Sequence, residues 1–509
     1  VRATAAANAP EGMSFIDARP VGATHVLDGL WRRLGIDAAI RSALAGRKGD
    51  PGRVERILFA LVANRAIAPS SKLAATDWIA HDVRIEGLSD VVDEACYRAM
   101  DALLSVEGKV CKEIYHRVAD LLNLEVDLLF FDTTSTYFET GGGQADAPVA
   151  RDEHGRVNPD PDAVPTDDKR DVGFRTHGKS KDHRPDLPQV VIGMAVTRTG
   201  IPVRVWCWPG NTNDSALIRQ VKDEMRDWTL ARVVWVADRG FSSAANRRYL
   251  RRAGGHYIIG EKLRSGSAQA TQALARQGRY AQVADNLQVK EVKLDDAEDR
   301  FIICYDPDTA ERDAALRERM VAQLAQTIAD TDRLSATKRA ELRGVISTKP
   351  GLNRYLRVTA GGLLRVDQAA IKAEEKLDGK YLLRSSDPKL SSQDIALGYK
   401  QLLEVERGWR DMKSVLDLRP VYHRLEDRIR AHVLLCWLAL LLVRVAETST
   451  RRTWPAMRSE LQRLHAVTYT GAAGTAVQTT EPTKTHRDLF TALGLEAPKR
   501  ILDLVPASA

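Results

Sequence analysis

Apolar residues recur at helical spacing from residue 21 to residue 124. Four segments carry this pattern: THVLDGLWRRLGI, GRVERILFALVANRAI, KLAATDWIAH and CYRAMDALLSVEGKVCKEIYHRVADLLNL. Apolar side chains three or four positions apart predict amphipathic helices, whose polar faces are rich in Arg and Lys here. The serines before Lys72 predict a helix N-cap. We therefore expect a helical N-terminal region, residues 1–124.

The pattern changes at Val126. The segment VDLLFFDTTSTYFE is apolar, aromatic and β-branched, which predicts a buried strand over Val126–Glu139. Residues 140–188, rich in Gly, Asp and Pro, predict a long mobile loop. QVVIGMAVTRTGIPVRVWCWPG predicts two strands, and ARVVWVADRG and HYIIGEKL predict two more, with helices in NDSALIRQVKDEMRDW and SSAANRRYLRRAG. This order indicates a mixed α/β layer, and no glycine-rich phosphate loop follows a strand.

The remaining patterns complete the predicted domain organisation. LQVKEVKL, RFIICYD, YLRVTA and YLLRSS predict strands around one charged helix, and the helical pattern resumes near Asp394. We predict five parts: a helical N-terminal region (1–124), the first part of an α/β core (125–264), a β-rich insertion (265–393), the helical remainder of the core (394–449) and a small C-terminal tail (450–509).

Composition limits the classes of protein that fit. The chain has 509 residues and a formal net charge of +7, with a pI near 9.1, which permits a polyanionic partner. Its five cysteines form no CxxC pair, so neither structural zinc nor a disulfide scaffold is expected. The N-terminal residues lack the apolar segment of a signal peptide. The most apolar run, Val433–Val443, is short for a membrane span and predicts a buried core helix, so no membrane partner is expected.

Two predicted strands end on aspartates. Asp132 follows the apolar run LLFF, and Asp238 follows VVWVA, with Gly240 making a turn after it. A carboxylate at the end of a rigid apolar strand is well placed for an active site. The alternative is that each aspartate only caps a turn.

A third carboxylate lies in the segment IALGYKQLLEVERGWRDMK. Positions seven apart on one helix differ by about 20° of rotation, so Tyr399, Glu406 and Lys413 would share a stripe, with Arg410 on much the same side. Glu404 would face elsewhere and is expected to be solvated. The alternative is an exposed face with a Glu406–Arg410 ion pair.

Asp132, Asp238 and Glu406 together form an all-oxygen donor set. Such a set suits Mg²⁺ or Mn²⁺, and two ions about 4 Å apart promote phosphoryl transfer. Nearby Lys and Arg side chains bind phosphates. Carboxylates within basic surroundings therefore fit a metal-dependent enzyme that acts on nucleic acid.

These residues resemble bacterial insertion-sequence transposases of the DDE class, in the branch with a Y-x2-R-x3-E-x6-K signature and a β-rich insertion before the glutamate. Tyr399, Glu406 and Lys413 match Y, E and K, while Asp132 and Asp238 match the two aspartates. HGKSKDHRPDLPQ, GNTND and RPVYH are also similar to this branch, over roughly residues 50–450. The signature arginine falls on Leu402, and Arg410 is the candidate to replace it.

The resemblance implies an RNase H-like mixed-sheet catalytic core. It implies that Asp132, Asp238 and Glu406 are catalytic and ligate two divalent ions, Mg²⁺ or Mn²⁺. A water would cut a phosphodiester at a transposon end, and the freed 3′-OH would attack the opposite strand to give a hairpin, or attack target DNA. The expected partners are double-stranded DNA at transposon ends and target, and a second copy in a homodimeric paired-end complex. The expected location is the bacterial cytoplasm, at the nucleoid.

Further DNA contacts are predicted around these carboxylates. Tyr399, Arg410 and Lys413 would hold phosphates, as would the basic loop residues Lys179, Lys181 and Arg184, and we add Arg239. His177 and His183 lie near Asp182 and Asp186, but their spacing fits no standard zinc pattern. Trp409 is a candidate to stack on a flipped base, against the alternative of core packing. An N-terminal helix would read the transposon ends, although the same pattern suits plain bundle packing.

Two other functions remain open at the level of sequence. One is an RNase H-like nuclease that cuts without joining strands. The other is a non-catalytic DNA-binding repressor derived from a transposase. The acidic triad disfavours the repressor, since DNA binding alone requires no carboxylates facing phosphate.

Overall fold

The chain folds into two compact units with α and β elements in both. A computed structural model describes residues 13–122, 128–139, 143–152, 155–158, 160, 162–166, 171–226, 228, 232–264, 266–419 and 421–506. The first unit comprises Val1–Val233 and Gln401–Ala509, and the second comprises Val234–Lys400. The element content confirms the predicted mixed α/β class. The five-part division made from the sequence stays a prediction.

The first unit opens with one strand and a group of helices, as the helical spacing predicts. The serine predicted to cap a helix does so, because Ser71 Oγ accepts a hydrogen bond from Ala74 N at 3.1 Å. Asp50 caps the longest of these helices, ahead of Pro51 at its first position. The elements are β1 (Met13–Pro20), α1 (Gly22–Arg33), α2 (Ile36–Leu44), α3 (Pro51–Ile67), α4 (Lys72–Asp77), α5 (Asp93–Leu104) and α6 (Glu107–Leu121).

Three antiparallel strands follow in the first unit: β2 (Leu128–Tyr137), β3 (Gln189–Val196) and β4 (Pro202–Pro209). Every residue of β3 and β4 is buried, which explains their continuous apolar sequences. β3 pairs with both neighbours. Helix α7 (Asp214–Glu224) is capped by Asn213. Val126, the predicted start of the first strand, lies outside the described residues.

The second unit is built on a mixed sheet. Its strands lie in the order β5, β6, β12, β9, β8, β7. β5 and β6 are parallel and the other pairs are antiparallel. The strands are β5 (Val234–Ala237), β6 (His256–Glu261), β7 (Ala281–Ala284), β8 (Leu287–Val292), β9 (Arg300–Tyr305), β10 (Leu356–Val358), β11 (Leu364–Val366) and β12 (Lys380–Ser385).

Helices and a small hairpin surround that sheet. β10 and β11 form the antiparallel hairpin. The helices are α8 (Ala244–Leu250), α9 (Ala268–Ala275), α10 (Pro307–Ile328), α11 (Ala336–Ser347), α12 (Pro350–Asn353), α13 (Gln368–Glu375) and α14 (Ser392–Lys400). The four strands predicted for the insertion correspond to β8, β9, β10 and β12. The expectation of one charged helix among them is wrong, because α9 to α13 all lie in residues 265–393 and hold more residues than the strands do, so the segment is not β-rich.

The chain then returns to the first unit. The elements are α15 (Leu403–Ser414), α16 (Glu426–Thr450), α17 (Trp454–Leu461), β13 (His465–Gly471), β14 (Gly474–Thr479), α18 (Lys484–Leu493) and β15 (Ile501–Pro506). β1 joins the last three strands in an antiparallel sheet of order β1, β13, β14, β15. The sequence analysis assigned no strand to Met13–Pro20.

Helix α16 is the apolar helix of the first unit. It is long and apolar enough to cross a membrane, but 94% of its apolar window is buried inside the protein. Arg444, at its C-terminal side, forms ion pairs with Asp411 at 2.8 Å and Glu447 at 3.0 Å. This confirms the prediction of a core helix around Val433–Val443.

Candidate active site

Asp132 lies in the middle of strand β2, so the prediction that a strand ends on it is wrong. It lies on a face of the sheet that a helix covers. Its side chain is half-buried, and it pairs directly across the ladder with Met194 of β3. Directly opposed residues of an antiparallel pair project to the same face. The carboxylate and the Met194 side chain therefore share one face.

Helix α15 packs on that face through a glycine. Val405, Gly408, Trp409 and Met412 are buried, at the i, i+3, i+4 and i+7 spacing of one helical stripe. A side-chain carbon at Gly408 would lie 2.7 Å from Met194 Cε, so the absence of a side chain permits this approach. The helix therefore packs over β3 at Met194, the residue paired with Asp132, on the same face of the sheet as the Asp132 carboxylate.

The two glutamates of α15 have different surroundings. Glu406 is exposed. Glu404 is half-buried, and a side-chain carbon at Gly200 would lie only 2.8 Å from its Oε2. Glu404 is therefore only partly solvated, because its carboxylate lies against the β3–β4 turn. Of the two, only Glu406 presents an exposed carboxylate.

Tyr399 does not share a helix with Glu406 and Lys413. Helix α14 ends at Lys400 and α15 begins at Leu403. Where α15 begins, Glu404 N bonds Gln401 O at 2.9 Å and Val405 N bonds Leu402 O at 3.1 Å. These i→i−3 bonds break the regular seven-residue repeat. The predicted single stripe is thus wrong for Tyr399, whereas Glu406 and Lys413 do lie on one helix.

The C-terminal end of α15 joins a basic cluster. Lys413 Nζ bonds Asp182 Oδ1 at 2.8 Å, and Arg419 pairs with Asp182 Oδ2 at 3.0 Å. Burial lowers the pKa of the Lys413 ammonium, an effect that Asp182 opposes and the charge of Arg419 reinforces. One carboxylate therefore holds two cations at this end of the helix.

The loop that carries Asp182 is anchored to β2. Lys181 N donates to Ser135 Oγ at 2.9 Å, and Lys181 Nζ donates to Thr133 O at 2.6 Å. Lys181 also pairs with Asp214 at 3.1 Å. The described part of this segment is therefore held in place, in contrast to the predicted mobile loop. Strand alternation puts Thr133 and Ser135 on the face opposite Asp132.

The other predicted loop cations differ in their surroundings. Lys179 is exposed. Arg184 pairs with Asp186 at 2.8 Å and lies 5.2 Å from the centre of the Tyr137 ring. Arg419 lies at the same distance from that ring. Loop and helix thus bring Arg184, Arg419 and Lys413 to the end of β2.

In the second unit, Asp238 accepts a hydrogen bond from a tyrosine. Asp238 follows β5 directly, and its Oδ1 lies 3.3 Å from the Tyr399 hydroxyl. A side-chain carbon at Gly260 would lie 2.4 Å from that hydroxyl, so the glycine leaves the space that the phenol occupies. Burial, reinforced by Asp238, raises the pKa of Tyr399. The next residue, Arg239, is exposed.

The donor chemistry of the three carboxylates fits a hard divalent ion such as Mg²⁺. Within the described residues, no group of three or more His, Cys, Asp or Glu side chains is arranged to hold a metal ion. The fit therefore rests on the donor type and on the half-buried or exposed positions of Asp132, Asp238 and Glu406.

Comparison with known proteins decides the family. A family model described as the transposase DDE domain matches residues 160–442, which is more than half of the 509 residues. The chain belongs to the DDE transposase family. The matched range contains Asp238 and Glu406 and begins after Asp132. The predicted resemblance is confirmed.

Two further comparisons complete the picture for this transposase. A search of curated proteins finds no match. Among solved structures, it is similar to a piggyBac transposase in a synaptic complex with hairpin DNA, with 10% sequence identity and a TM-score of 0.37. The similarity covers 86% of this chain and 76% of that one.

Three residues in or next to α15 differ in their solvent exposure. Trp409 is 5% exposed, as the core-packing alternative requires, and its indole face is covered in this structure. Arg410 is exposed on α15. Leu402, at the position of the signature arginine, is half-buried.

Sequence reasoning missed the roles of Asp182 and Arg419. The sequence places Asp182 near His177 and His183, but its carboxylate pairs with Lys413 and Arg419. Arg419 begins the RPVYH segment, which is part of the resemblance, and this was the available signal. The pairing of Lys413 with Asp182 joins residues 231 positions apart, and no local pattern encodes such a contact.

Proposed function

We propose that this transposase cleaves DNA phosphodiesters at the ends of its insertion sequence and joins the freed 3′-OH ends to target DNA. The family membership supports a DNA-cleaving and DNA-joining enzyme. The proposal of cleavage and joining rests on one observation. Helix α15 packs on the sheet face that carries Asp132, with Glu406 exposed and Lys413 in the basic cluster at the C-terminal end of the helix.

Asp132, Asp238 and Glu406 are the residues that would hold two Mg²⁺ or Mn²⁺ ions. When bound, such ions activate the attacking oxygen and neutralise charge on the leaving oxygen. The carboxylates themselves are acceptors only when ionised, so each brings negative charge and lone pairs to the site. The hydroxyl of Tyr399 donates to one oxygen of Asp238 at 3.3 Å and so orients the carboxylate.

Cleavage and joining are two in-line displacements at phosphorus. In the first, a water oxygen attacks, the P–O3′ bond breaks, and the 3′ oxygen takes up a proton while the water loses one. In the second, that 3′-OH attacks another phosphodiester and displaces its 3′ oxygen. Attack on the opposite strand gives a hairpin, and attack on target DNA gives the joined product.

Basic side chains would bind the DNA phosphates during both steps. Lys413 and Arg419 lie at the end of α15, and Lys179, Arg184, Arg239 and Arg410 add further positive charge. Lys181 instead bonds Thr133 and Asp214, so we assign it to holding the loop. We propose double-stranded DNA as the partner and a homodimer in the paired-end complex, at the nucleoid of the bacterial cytoplasm.

The test is a product analysis with the full chain. Labelled duplexes carrying the element's own terminal repeats are incubated with a target plasmid and Mg²⁺ or Mn²⁺. The proposal predicts cut ends, joined products and, on the hairpin route, a product that migrates as one covalently closed strand. Cut ends without joining would indicate a nuclease. Specific binding without cutting would indicate a repressor, and either result would overturn the proposal.

A further inference from the structure

A cavity of about 530 Å³ lies in the first unit, among α3, α4, α5 and the residues on either side of the start of α16. Its lining includes Arg65, Lys72, Tyr97, Tyr422 and His423. A cavity of this volume lies within the range of small-molecule and cofactor sites.

Two buried cations face this cavity. Arg65 and Lys72 are 3% and 4% exposed. Within the described part of the chain, neither forms an ion pair with a carboxylate. Asp417 also lines the cavity and its charge favours the Arg65 cation, but one carboxylate against two cations leaves a net positive charge there. Excess buried charge of one sign is unfavourable, so it points to a ligand of opposite charge.

The hydrogen bonding of Arg65 is incomplete. It donates to the main-chain oxygen of Asp417 at 3.2 Å, and it approaches Asn64 Oδ1 at 3.5 Å. Its Nε is buried and, among the described residues, has no hydrogen-bond partner. Guanidinium groups bind oxyanions through paired N–H donors, and this one retains an unused donor.

The two histidines near Arg65 and Lys72 add no further positive charge to the cavity at neutral pH. Burial and the charge of Arg65 lower the pKa of Lys72 to about 8, so its ammonium is charged at neutral pH. Burial lowers the pKa of His423 to about 3 and also lowers that of His432. Both imidazoles are therefore neutral, and the net positive charge is that of Arg65 and Lys72, offset in part by Asp417.

We propose that this cavity binds a phosphate group through Lys72 and Arg65. A compact ammonium and a forked guanidinium together match a tetrahedral oxyanion with several acceptors. The phosphate has two possible sources that share non-bridging anionic oxygens, free inorganic phosphate and the backbone of a DNA strand.

The residues around the cavity favour a DNA strand as the source of the phosphate. Tyr422 is 71% exposed at the cavity, and Leu73 is 64% exposed. Tyr422 lies three residues after Arg419, which spans at most about 11 Å. A strand bound at the basic end of α15 would therefore pass near the cavity. The phosphate site itself does not depend on the proposed function.

The experiment measures inorganic phosphate binding to the full chain by calorimetry, at ionic strength matched with chloride. Lys72→Met and Lys72→Gln remove the charge, Lys72→Arg keeps it, and Lys109→Gln removes an exposed charge on α6. We expect the wild type and Lys109→Gln to bind equally. We expect affinity to fall about tenfold or more in the two uncharged Lys72 variants, and to return largely in Lys72→Arg.

The melting temperature without phosphate separates binding from folding. Because the uncharged variants lose an unpaired buried charge, they should melt at or above the wild-type temperature. A DNA arm measures duplex affinity for the same variants, with and without competing phosphate. Loss of DNA affinity only in the uncharged Lys72 variants identifies the backbone as the source. Unchanged DNA affinity with Lys72-dependent phosphate binding identifies free phosphate.

The proposal fails if neither phosphate nor DNA binding depends on Lys72. It also fails if Lys109→Gln weakens both as much as the uncharged Lys72 variants do, because the effect would then be net charge alone.

Discussion

At the scale of single residues, Tyr399 is defined by its contact with Asp238. The hydroxyl donates to the carboxylate at 3.3 Å, and the ring stacks on Tyr381 with centroids 6.0 Å apart. A raised pKa keeps the phenol protonated at neutral and mildly alkaline pH, so the donor is always present. We therefore propose that Tyr399 is a positioning residue for Asp238.

Replacing Tyr399 by Phe removes only that donor. We expect DNA cleavage to fall about tenfold, with the melting temperature nearly unchanged because the ring still fills its space. The concentration of Mg²⁺ or Mn²⁺ needed for half-maximal activity should rise, which a purely structural role would not cause. Tyr305→Phe, at another tyrosine of the same unit, serves as the control. Equal metal dependence in both variants would contradict this role.

His423 gives the protein a stability that depends on pH. Burial lowers its pKa to about 3 in the folded state, whereas in the unfolded chain it titrates near 6.5. The unfolded state therefore binds more protons between these values, so this stability is present above pH 6.5 and is lost as the pH falls.

We expect the free energy of unfolding to fall between pH 7 and 5, with about 1 to 2 kcal/mol of that loss due to His423. His423→Gln should flatten the profile by that amount in urea unfolding. His81→Gln, at an exposed site, should leave the slope as it is. A His423→Gln profile as steep as that of the wild type would refute the assignment.

At the scale of elements, the sequence predicted most strands and helices but not the break before α15. Apolar spacing encodes α15 itself, since its buried residues follow one stripe. The two residues between α14 and α15, Gln401 and Leu402, are neither Gly nor Pro, so no helix-breaking residue in the sequence indicates the interruption. The contact of Glu404 with the β3–β4 turn was not predicted for a similar reason, because it depends on the distant Gly200.

Gly408 tests the seating of α15 on the sheet. A methyl group there would lie 2.7 Å from Met194 Cε, the flexible end of a side chain that can shift, and 3.7 Å from Leu440 Cδ2. Gly408→Ala should therefore keep cleavage, and the shift of Met194 should offset part of the gain of up to about 1 kcal/mol in helix propensity. Gly408→Leu should displace the helix, cost about 1 to 3 kcal/mol in the free energy of unfolding and abolish most cleavage. Cleavage by Gly408→Leu at the Gly408→Ala rate would show that the seating does not matter.

At the scale of the whole molecule, long-range pairings escaped the sequence analysis. β1 pairs with β13, which lies about 450 residues further along the chain, over the register Met13↔Gly471 to Pro20↔His465. Alternation within a strand does not identify its partner. The family resemblance was predictable because it rests on short motifs, whereas the phosphate cavity joins residues from separate helices that no motif links.

The basic side chains that contact DNA phosphates should make DNA affinity dependent on salt. Each phosphate that a cation neutralises releases counterions, so the logarithm of affinity falls linearly with the logarithm of salt concentration. We expect Lys413→Gln to reduce that slope by about one. The exposed Lys376→Gln should leave it unchanged. Equal slopes for the two variants in a salt titration would remove Lys413 from the DNA contacts.

The most direct test of the central claim compares Glu406→Gln with Glu404→Gln in metal-dependent cleavage of terminal-repeat DNA, with binding measured in parallel. The account predicts that the wild type and Glu404→Gln cut at similar rates. Glu406→Gln should bind with wild-type affinity and cut about a thousandfold more slowly or not at all. Wild-type cutting by Glu406→Gln, or selective loss in Glu404→Gln, would mean that the third carboxylate of the site is a different residue.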